Sequence, residues 1–433
     1  MIPDEKKKLI ITSISVIFIL IIFLIFKNFG TKIINSLPTS VSLPLKSVLK
    51  AGVGINSKRI SNDYNEVFLP KTQFIDLNFK KSKLDFLKLQ EVGYLGDKKY
   101  LKKSFFLERY KDKLFIADRY GNFFYNEIKN LKNNTPSYQK IPTNLLSDDK
   151  ESYAKTLDIQ IHKEKIFISK VIKRNQCKYL EVDVAQINYK TLNFENIFTS
   201  ESNKECMTHS IWAGKMEMLN SNQLLLTTAG DHLYTRDKSG KALLNENESD
   251  SKPQDDNSLF GKVLLIDTEN SNYQIFNKGH RNSIGLLVEN SIILSTENGP
   301  RGGDEINLEI KGKNYGWDLA AYGKKYYQNK MYLDHESSSY QEPIFAFVPS
   351  LAVTEIIKLG NNFTNEWQDN YLIGTLNGRQ LLRVKFSQDK SKVIYIEKIF
   401  IGERIRDLLY DEQSKTIILA LEDTGSVGIL YKD

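Results

Sequence analysis

The amino-acid sequence predicts an all-β protein, a six-bladed β-propeller preceded by one N-terminal transmembrane helix. Three observations lead there. Strand-like runs joined by tight turns recur in six clusters over about 380 residues. Helical periodicity is scarce beyond the N-terminal segment. Near the start of the chain stands an uncharged apolar run long enough to cross a bilayer.

That run, LIITSISVIFILIIFLIF from Leu9 to Phe26, is eighteen residues without a charge, Pro or Gly, and only Thr12, Ser13 and Ser15 are polar. As a helix it would measure about 27 Å, close to the thickness of the hydrocarbon core. Lys6, Lys7 and Lys8 precede it directly, so the positive-inside bias keeps residues 1–8 in the cytoplasm and sends the chain after Lys27 across. The competing reading is a cleaved signal peptide. Against it, the run is longer than a usual signal core, and no small-x-small site follows in KNFGTKIINSL. The expectation is a single-pass anchor in the inner membrane with the rest of the chain in the periplasm. Residues 27–60, with SLPTSVSLPLKS, read as a linker, and residues 61–433 as the propeller.

Composition narrows the class of the exported part. At 433 residues, 41% hydrophobic and 26% charged, the chain has apolar surface enough for a large core, which excludes a disordered tail, a collagen-like repeat and a disulfide-rich miniprotein. The net charge of +7 is mostly local: seven lysines against Asp4 and Glu5 place +5 in residues 1–50 and leave +2 for the rest. A nucleic-acid partner is therefore not expected. Export also decides the redox setting. Cys177 and Cys206 are the only cysteines, and in an oxidising compartment they are expected to form one disulfide, stabilising by about 3.5 kcal/mol on the chain-entropy picture.

The strand clusters follow in order. LFIADRYGNFFYNEI (114–128) is two alternating runs about a Gly-Asn turn. KIFISKVI (165–172) with KYLEVDVAQINY (178–189) repeats the plan, as do 215–231 with 262–276, and 284–297 with 304–310. EIIKLG, NYLIGTLNGRQLLRVKF and VIYIEKIF fill 355–400, and RDLLYDEQSKTIILALEDTGSVGILYK closes the chain. A pair of β-sandwiches is the competing architecture, but it does not call for so many similar strand-turn-strand units in series. LNENESDSKPQDDNS (244–258) reads as an inserted loop.

Chemistry is concentrated between Gly279 and Tyr322. His280, Arg281 and Asn282 set an imidazole, a guanidinium fork and an amide side by side where a strand begins, and Arg is suited to gripping planar carboxylates. Glu297-Asn298-Gly299-Pro300 is a turn whose carbonyls, with Asp304 and Glu305 nearby, suit a hard cation such as Ca²⁺. The plainer reading of the same residues is that Gly-Pro and Gly-Gly turn the chain and Asp304 caps a loop. Trp317 reads as a packing anchor. KKYYQNKMYLDH (324–335) is either a sugar-facing loop or a cover for a sheet edge.

Three linked motifs decide between these readings: GHRNSIGL (279–286), ENGPRGGDEIN (297–307) and GKNYGW (312–317). In this order and spacing the stretch closely resembles the quinoprotein sugar dehydrogenases of the glucose/sorbosone dehydrogenase family. Weaker similarity runs through TAGD (228–231), FGKVLLID (260–267), NYLIGTLNG (370–378) and ERIRDLL (403–409). The resemblance implies a six-bladed propeller carrying pyrroloquinoline quinone (PQQ) beside Ca²⁺, in which the C1 hydride of a sugar passes to the quinone while a His removes the hydroxyl proton. It implies that Arg281, Arg404 and Arg406 hold the cofactor's carboxylates, with Asn282 and Ser350 hydrogen-bonding and Asn377 completing the cofactor-binding set. Gly299 and Pro300 would ligate the metal through their carbonyls, joined by Asp304. His209 would be the base, and Asp231 and Arg281 would complete the catalytic set. Electrons would pass to a membrane or periplasmic acceptor.

Two departures from the family pattern stand out. Asn377 occupies a position where the family carries Lys, and His209 precedes Gly214 by five residues rather than three, across SIWA. A bulge would restore the geometry. They favour the alternative expectation, a propeller that has lost redox chemistry and serves as a ligand-binding or assembly module. Lactone or ester hydrolysis on a Ca²⁺ propeller is weaker, since no matching acidic ligand set is visible.

Overall fold

A computed structural model describes residues 77–432 except 88–89, 96–97, 134–135, 146–152, 176, 204, 206, 208–212, 231–251, 326–330 and 337. Two units divide the chain at Asn62/Asp63. The expected span at 9–26 and linker at 27–60 fall outside the described residues. Among the described residues no helix is long and apolar enough to cross a membrane.

Six four-stranded antiparallel sheets follow one another along the chain. Blade 1 comprises Phe105–Tyr110, Lys113–Asp118, Phe123–Glu127 and Gln139–Ile141. Blade 2 comprises Tyr153–His162, Lys165–Arg174, Cys177–Gln186 and Glu195–Thr199. Blade 3 is Ala213–Met218, Gln223–Thr228, Lys262–Asp267 and Tyr273–Lys278, and blade 4 is Ser283–Glu289, Ile292–Glu297, Asp304–Leu308 and Phe345–Phe347. Blade 5 runs through Val353–Lys358, Tyr371–Thr375, Gln380–Phe386 and Val393–Phe400. Blade 6 takes Ile405–Asp411, Thr416–Leu421 and Ser426–Tyr431 from the C-terminus. Its fourth strand comes from the other end: Asn78–Lys83 pairs antiparallel with Ser426–Tyr431. The first strands of the six blades contact one another in a closed circle, which makes the architecture a propeller and excludes the sandwich pair.

The closing strand and the additional hairpin Gln90–Leu95/Lys98–Lys102 were not foreseen. The physical reason is plain for the first: NFKKSK is an outer strand whose only buried position is Ser82, so it carries no apolar alternation to read. The second strands are the opposite case. QLLLTT, TIILAL and YLIGT are almost continuously buried, as strands covered on both faces must be.

Apolar residues fill the wedges between neighbouring blades. Blades 6 and 1 meet through Leu84, Phe105, Leu107, Ile116, Ile418, Val427 and Ile429. Polar bonds add register between blades: the Thr227 hydroxyl donates to the Ser283 carbonyl at 2.8 Å, and Thr354 donates to the Ile405 carbonyl at 3.0 Å. Cys177 is disulfide-bonded, as expected. Cys206 lies outside the described residues.

Ile418→Ala would open a cavity between the last and first blades and should cost about 2–5 kcal/mol. The expected observation is a lower urea midpoint with an unchanged slope, since the same surface unfolds.

Candidate functional site

At one end of the circle the first strands of blades 2 to 6 carry irregular register at their starts, with shifts at Thr156/Asp158, Ala213/Met216, Ser283/Gly285, Val353/Ile356 and Ile405/Asp407. Bulges of this kind turn side chains that would alternate between faces toward one side. Ala213 and Ala352, with φ of 60° and 55°, stand at two of these starts, in the left-handed region that non-glycine residues avoid. The result is a cavity of about 450 Å³ on the axis.

Its wall holds Arg281, Asn282, Gly299, Pro300, Asp304, Ser350, Asn377, Arg404 and Arg406. These are all the site residues expected from the sequence that fall among the described residues. His209 and Asp231 lie outside them. Sequence reasoning missed Arg119, Asp158, Lys215, Glu355 and Asp407, which share the same wall. Their signal was a charge set between apolar neighbours in a strand, as in Leu157-Asp158-Ile159 or Asp407-Leu408, where burial is otherwise expected.

The basic side is held by carboxylates behind it. Arg404 and Arg406 both direct Nε to Glu422, which is fully buried; the Arg404 bond is 3.1 Å. Arg281 Nη1 donates to the Asn298 carbonyl at 2.6 Å, and its guanidinium carbon lies 5.3 Å from the centre of the Trp317 ring. Trp317 is thus buried packing, as expected, that also backs the arginine. Behind Arg281 the Glu297 carboxylate accepts the Arg281 backbone N–H, the Ser283 hydroxyl at 2.9 Å and His280 Nδ1 at 2.8 Å. His280 has no exposed surface and also faces Glu309 at 3.3 Å. Burial alone would lower its pKa, but the Glu309 and Glu297 carboxylates outweigh that and raise it to about 10. His280 is therefore a buried imidazolium.

Asp304 has a different part from the one its position suggested. One carboxylate oxygen accepts from Gly299 N at 3.0 Å and Ser350 Oγ at 2.7 Å; the other accepts from Leu351 N at 2.7 Å and Ala352 N at 2.6 Å. Four donors occupy its acceptor sites, so it ties the Gly299 turn of blade 4 to the start of blade 5 and has no lone pair left for a cation. Ser350, expected to bond the cofactor, donates to this brace. Glu305 does not line the cavity. Among the described residues no group of three or more His, Cys, Asp or Glu is placed to hold a metal ion. Gly299 and Pro300, the other two residues expected at the metal, line the cavity. Gly299 is required there, because a Cβ would stand 2.0 Å from the Gly303 carbonyl oxygen.

The donor set suits a polycarboxylate: three arginines from blades 4 and 6 converge on one cavity. Asn282 Oδ1 is buried in the same wall without a hydrogen-bond partner, a state that a bound N–H or O–H donor would relieve.

Fold and wall together define a propeller with an arginine-rich axial cavity. Residues 111–431 match the sequence profile of the Glucose / Sorbosone dehydrogenase family, to which the chain belongs. It is similar to Aldose sugar dehydrogenase YliI of Escherichia coli (strain K12), at 29% identity over 203 residues, covering 42% of this chain and 54% of that one. With Quinoprotein glucose dehydrogenase B of Acinetobacter calcoaceticus it shares 40% identity over 80 residues, 16% of this chain and 17% of the relative. The matched segments thus span little more than half, or much less, of the curated relatives. Among solved structures, the apo soluble aldose sugar dehydrogenase of Escherichia coli superposes with a TM-score of 0.63 at 19% identity, covering 82% of this chain and 99% of that one. The PQQ-bound aldose sugar dehydrogenase of Streptomyces coelicolor gives 0.53 at 13%, covering 81% and 99%. At these identities the structural likeness speaks for the fold.

The His280 pair makes stability depend on pH. Because the folded pKa of about 10 exceeds the ordinary 6.5, its contribution is complete below pH 6.5 and disappears as pH rises through 10. His280→Gln should cost on the order of 3 kcal/mol at pH 6, where the partner carboxylates lose their cation, and much less at pH 10. Urea unfolding at the two pH values reads the difference.

Proposed function

We propose that the chain is a quinoprotein oxidoreductase that oxidises an aldose or related polyol at C1, with pyrroloquinoline quinone and Ca²⁺ in the axial cavity. The observation that carries this reading is the meeting of Arg281, Arg404 and Arg406 on one cavity wall with Asn282, Gly299 and Pro300. When bound, the quinone supplies a hydride acceptor and the cation polarises it.

The chain's own residues do the rest. The three guanidinium groups bind the cofactor's carboxylates by charge-assisted hydrogen bonds, and their backing by Glu422 and Glu297 holds them ready before loading. Asn282 Oδ1 accepts a hydrogen bond from the bound group. Asp304 acts as a brace that keeps the Gly299–Pro300 carbonyls at the wall. Phe106, Leu157 and Leu376 limit water on the remaining sides. His209 takes the proton of the C1 hydroxyl, a task suited to an imidazole titrating near neutrality, and Asp231 orients it. The apolar run at 9–26 anchors the enzyme in the inner membrane with its propeller in the periplasm, where a membrane or periplasmic acceptor takes the electrons.

Asn377 favours a second reading. It lines the cavity at the position where the family has Lys, so one positive charge fewer opposes a trianion, as in a propeller that binds without turnover.

Reconstitution separates the two. Purified protein mixed with the quinone and Ca²⁺ should reduce a dye in the presence of aldoses, EDTA should abolish the reaction, and Ca²⁺ should restore it. Tight quinone binding with no turnover on any sugar would establish the binding module instead. Arg281→Ala and Arg406→Ala should each weaken quinone binding by about thirtyfold or more, read by absorbance titration.

A further inference from the structure

Beneath the arginine wall the floor of the cavity is ionic in another way. Lys215, from blade 3, donates to Asp158 of blade 2 at 2.8 Å, pairs with Glu355 of blade 5, and lies 3.6 Å from Asp407 of blade 6. All four residues line the cavity. Asp158, Glu355 and Asp407 are buried, with 0%, 4% and 2% of their surface exposed.

Two more carboxylates continue the series away from the cleft. Glu217 stands two residues beyond Lys215 on the same strand, hence on the same face. Glu108 stands two beyond Phe106, another lining residue. Neither borders the cavity itself. Both are half-buried, so each keeps some surface open to water. Each also accepts a bond from the backbone of the next residue: Glu108 from Arg109 N at 3.1 Å and Glu217 from Met218 N at 3.1 Å.

Three of these five carboxyl groups contact Lys215 directly, and like charges crowded together disfavour one another's ionised forms. Burial raises Asp158 to about 7, against the pull of Lys215 and with Asp407 adding to the rise. It raises Glu217 to about 7 and pushes Glu108 and Glu355 well up. The other charges facing this group are Arg119, Arg281, Arg404, Arg406 and Asp304 on the cavity wall. Groups that change protonation near neutrality, set in series on the inward faces of neighbouring strands, are what proton movement through protein requires.

We propose that this axial column, from Asp158, Lys215, Glu355 and Asp407 to Glu108 and Glu217, carries protons out of the catalytic cleft. The proposal rests on the redox reading above. Oxidation of an aldose at C1 to a lactone takes two electrons and two protons from the sugar. The electrons end on the acceptor, here a soluble one-electron oxidant that takes up no proton, such as ferricyanide, so the two protons are released to water while substrate and cofactor fill the mouth of the cleft.

The test uses the reconstituted full chain with Glu108→Gln, Glu217→Gln and the double variant, none of which alters the cavity wall. Quinone affinity should match the unmodified protein. Ferricyanide reduction at saturating aldose should fall about tenfold in the double variant, with a larger solvent deuterium isotope effect and a displaced pH profile. Glu217→Asp, which keeps a carboxyl on the axis, should recover most of the rate, which a packing defect would not allow. In the apoprotein, potentiometric titration should lose a group near pH 7 on Glu217→Gln. Unchanged rate, isotope effect and pH profile in a folded double variant would overturn the column while leaving the oxidoreductase intact. An unmodified protein that binds quinone and never turns over would overturn both.

Discussion

The pairing of Asn78–Lys83 with Ser426–Tyr431 is the constraint on which the molecule's chemistry depends. It unites the two ends of the described chain in one sheet and so converts a row of six sheets into a closed circle. Only in a closed circle do the first strands of all blades face a common axis, and only then do Arg119, Arg281 and Arg406, far apart in sequence, border the same space. Closure also removes two exposed strand edges that would otherwise invite pairing between molecules.

Charge on that axis is organised in two layers with opposite roles. On the upper wall, carboxylates stand behind the arginines: Glu422 behind Arg404 and Arg406, Glu297 behind the Arg281 backbone. Those acids lie within the blades and orient the cations toward the cavity. On the floor the order is reversed, with Lys215 at the centre and carboxylates around it. Acids used as supports behind the arginines are used as lining around Lys215, which is how a nearly neutral propeller keeps cationic and acidic groups on one cavity. His280 belongs to the first layer. Its charge is balanced by Glu297 and Glu309, and Glu297 links it to the Arg281 backbone.

Much of the architecture was legible from local pattern. The runs at 114–128, 165–189 and 262–276 are strands because their alternating or continuously apolar residues bury against neighbouring blades. The polar strand NFKKSK was not legible, since its outer face meets solvent and its inner face contributes little. The motif residues Arg281, Asn282, Gly299 and Pro300 were found through linked spacing within one blade. Arg404, Arg406 and Asn377 came from weaker segments of the same family pattern, and these three and Ser350 stand in the wall.

Asp304 shows where such reading stops. Its place beside the Gly299 turn suggested metal ligation, but its partners include Leu351 and Ala352 in the next blade, and no sequence interval records that contact. The sequence by itself determined that the protein is built of β-strands, that it groups into six units, and that arginines and a Gly-Pro turn are available for an anionic ligand. The tertiary structure alone decided that Asp304 is a brace and that Lys215 gathers carboxylates from three other blades. The reason is physical: strand formation depends on alternation within a few residues, whereas the protonation and partners of a buried charge depend on whatever the closed circle places opposite it.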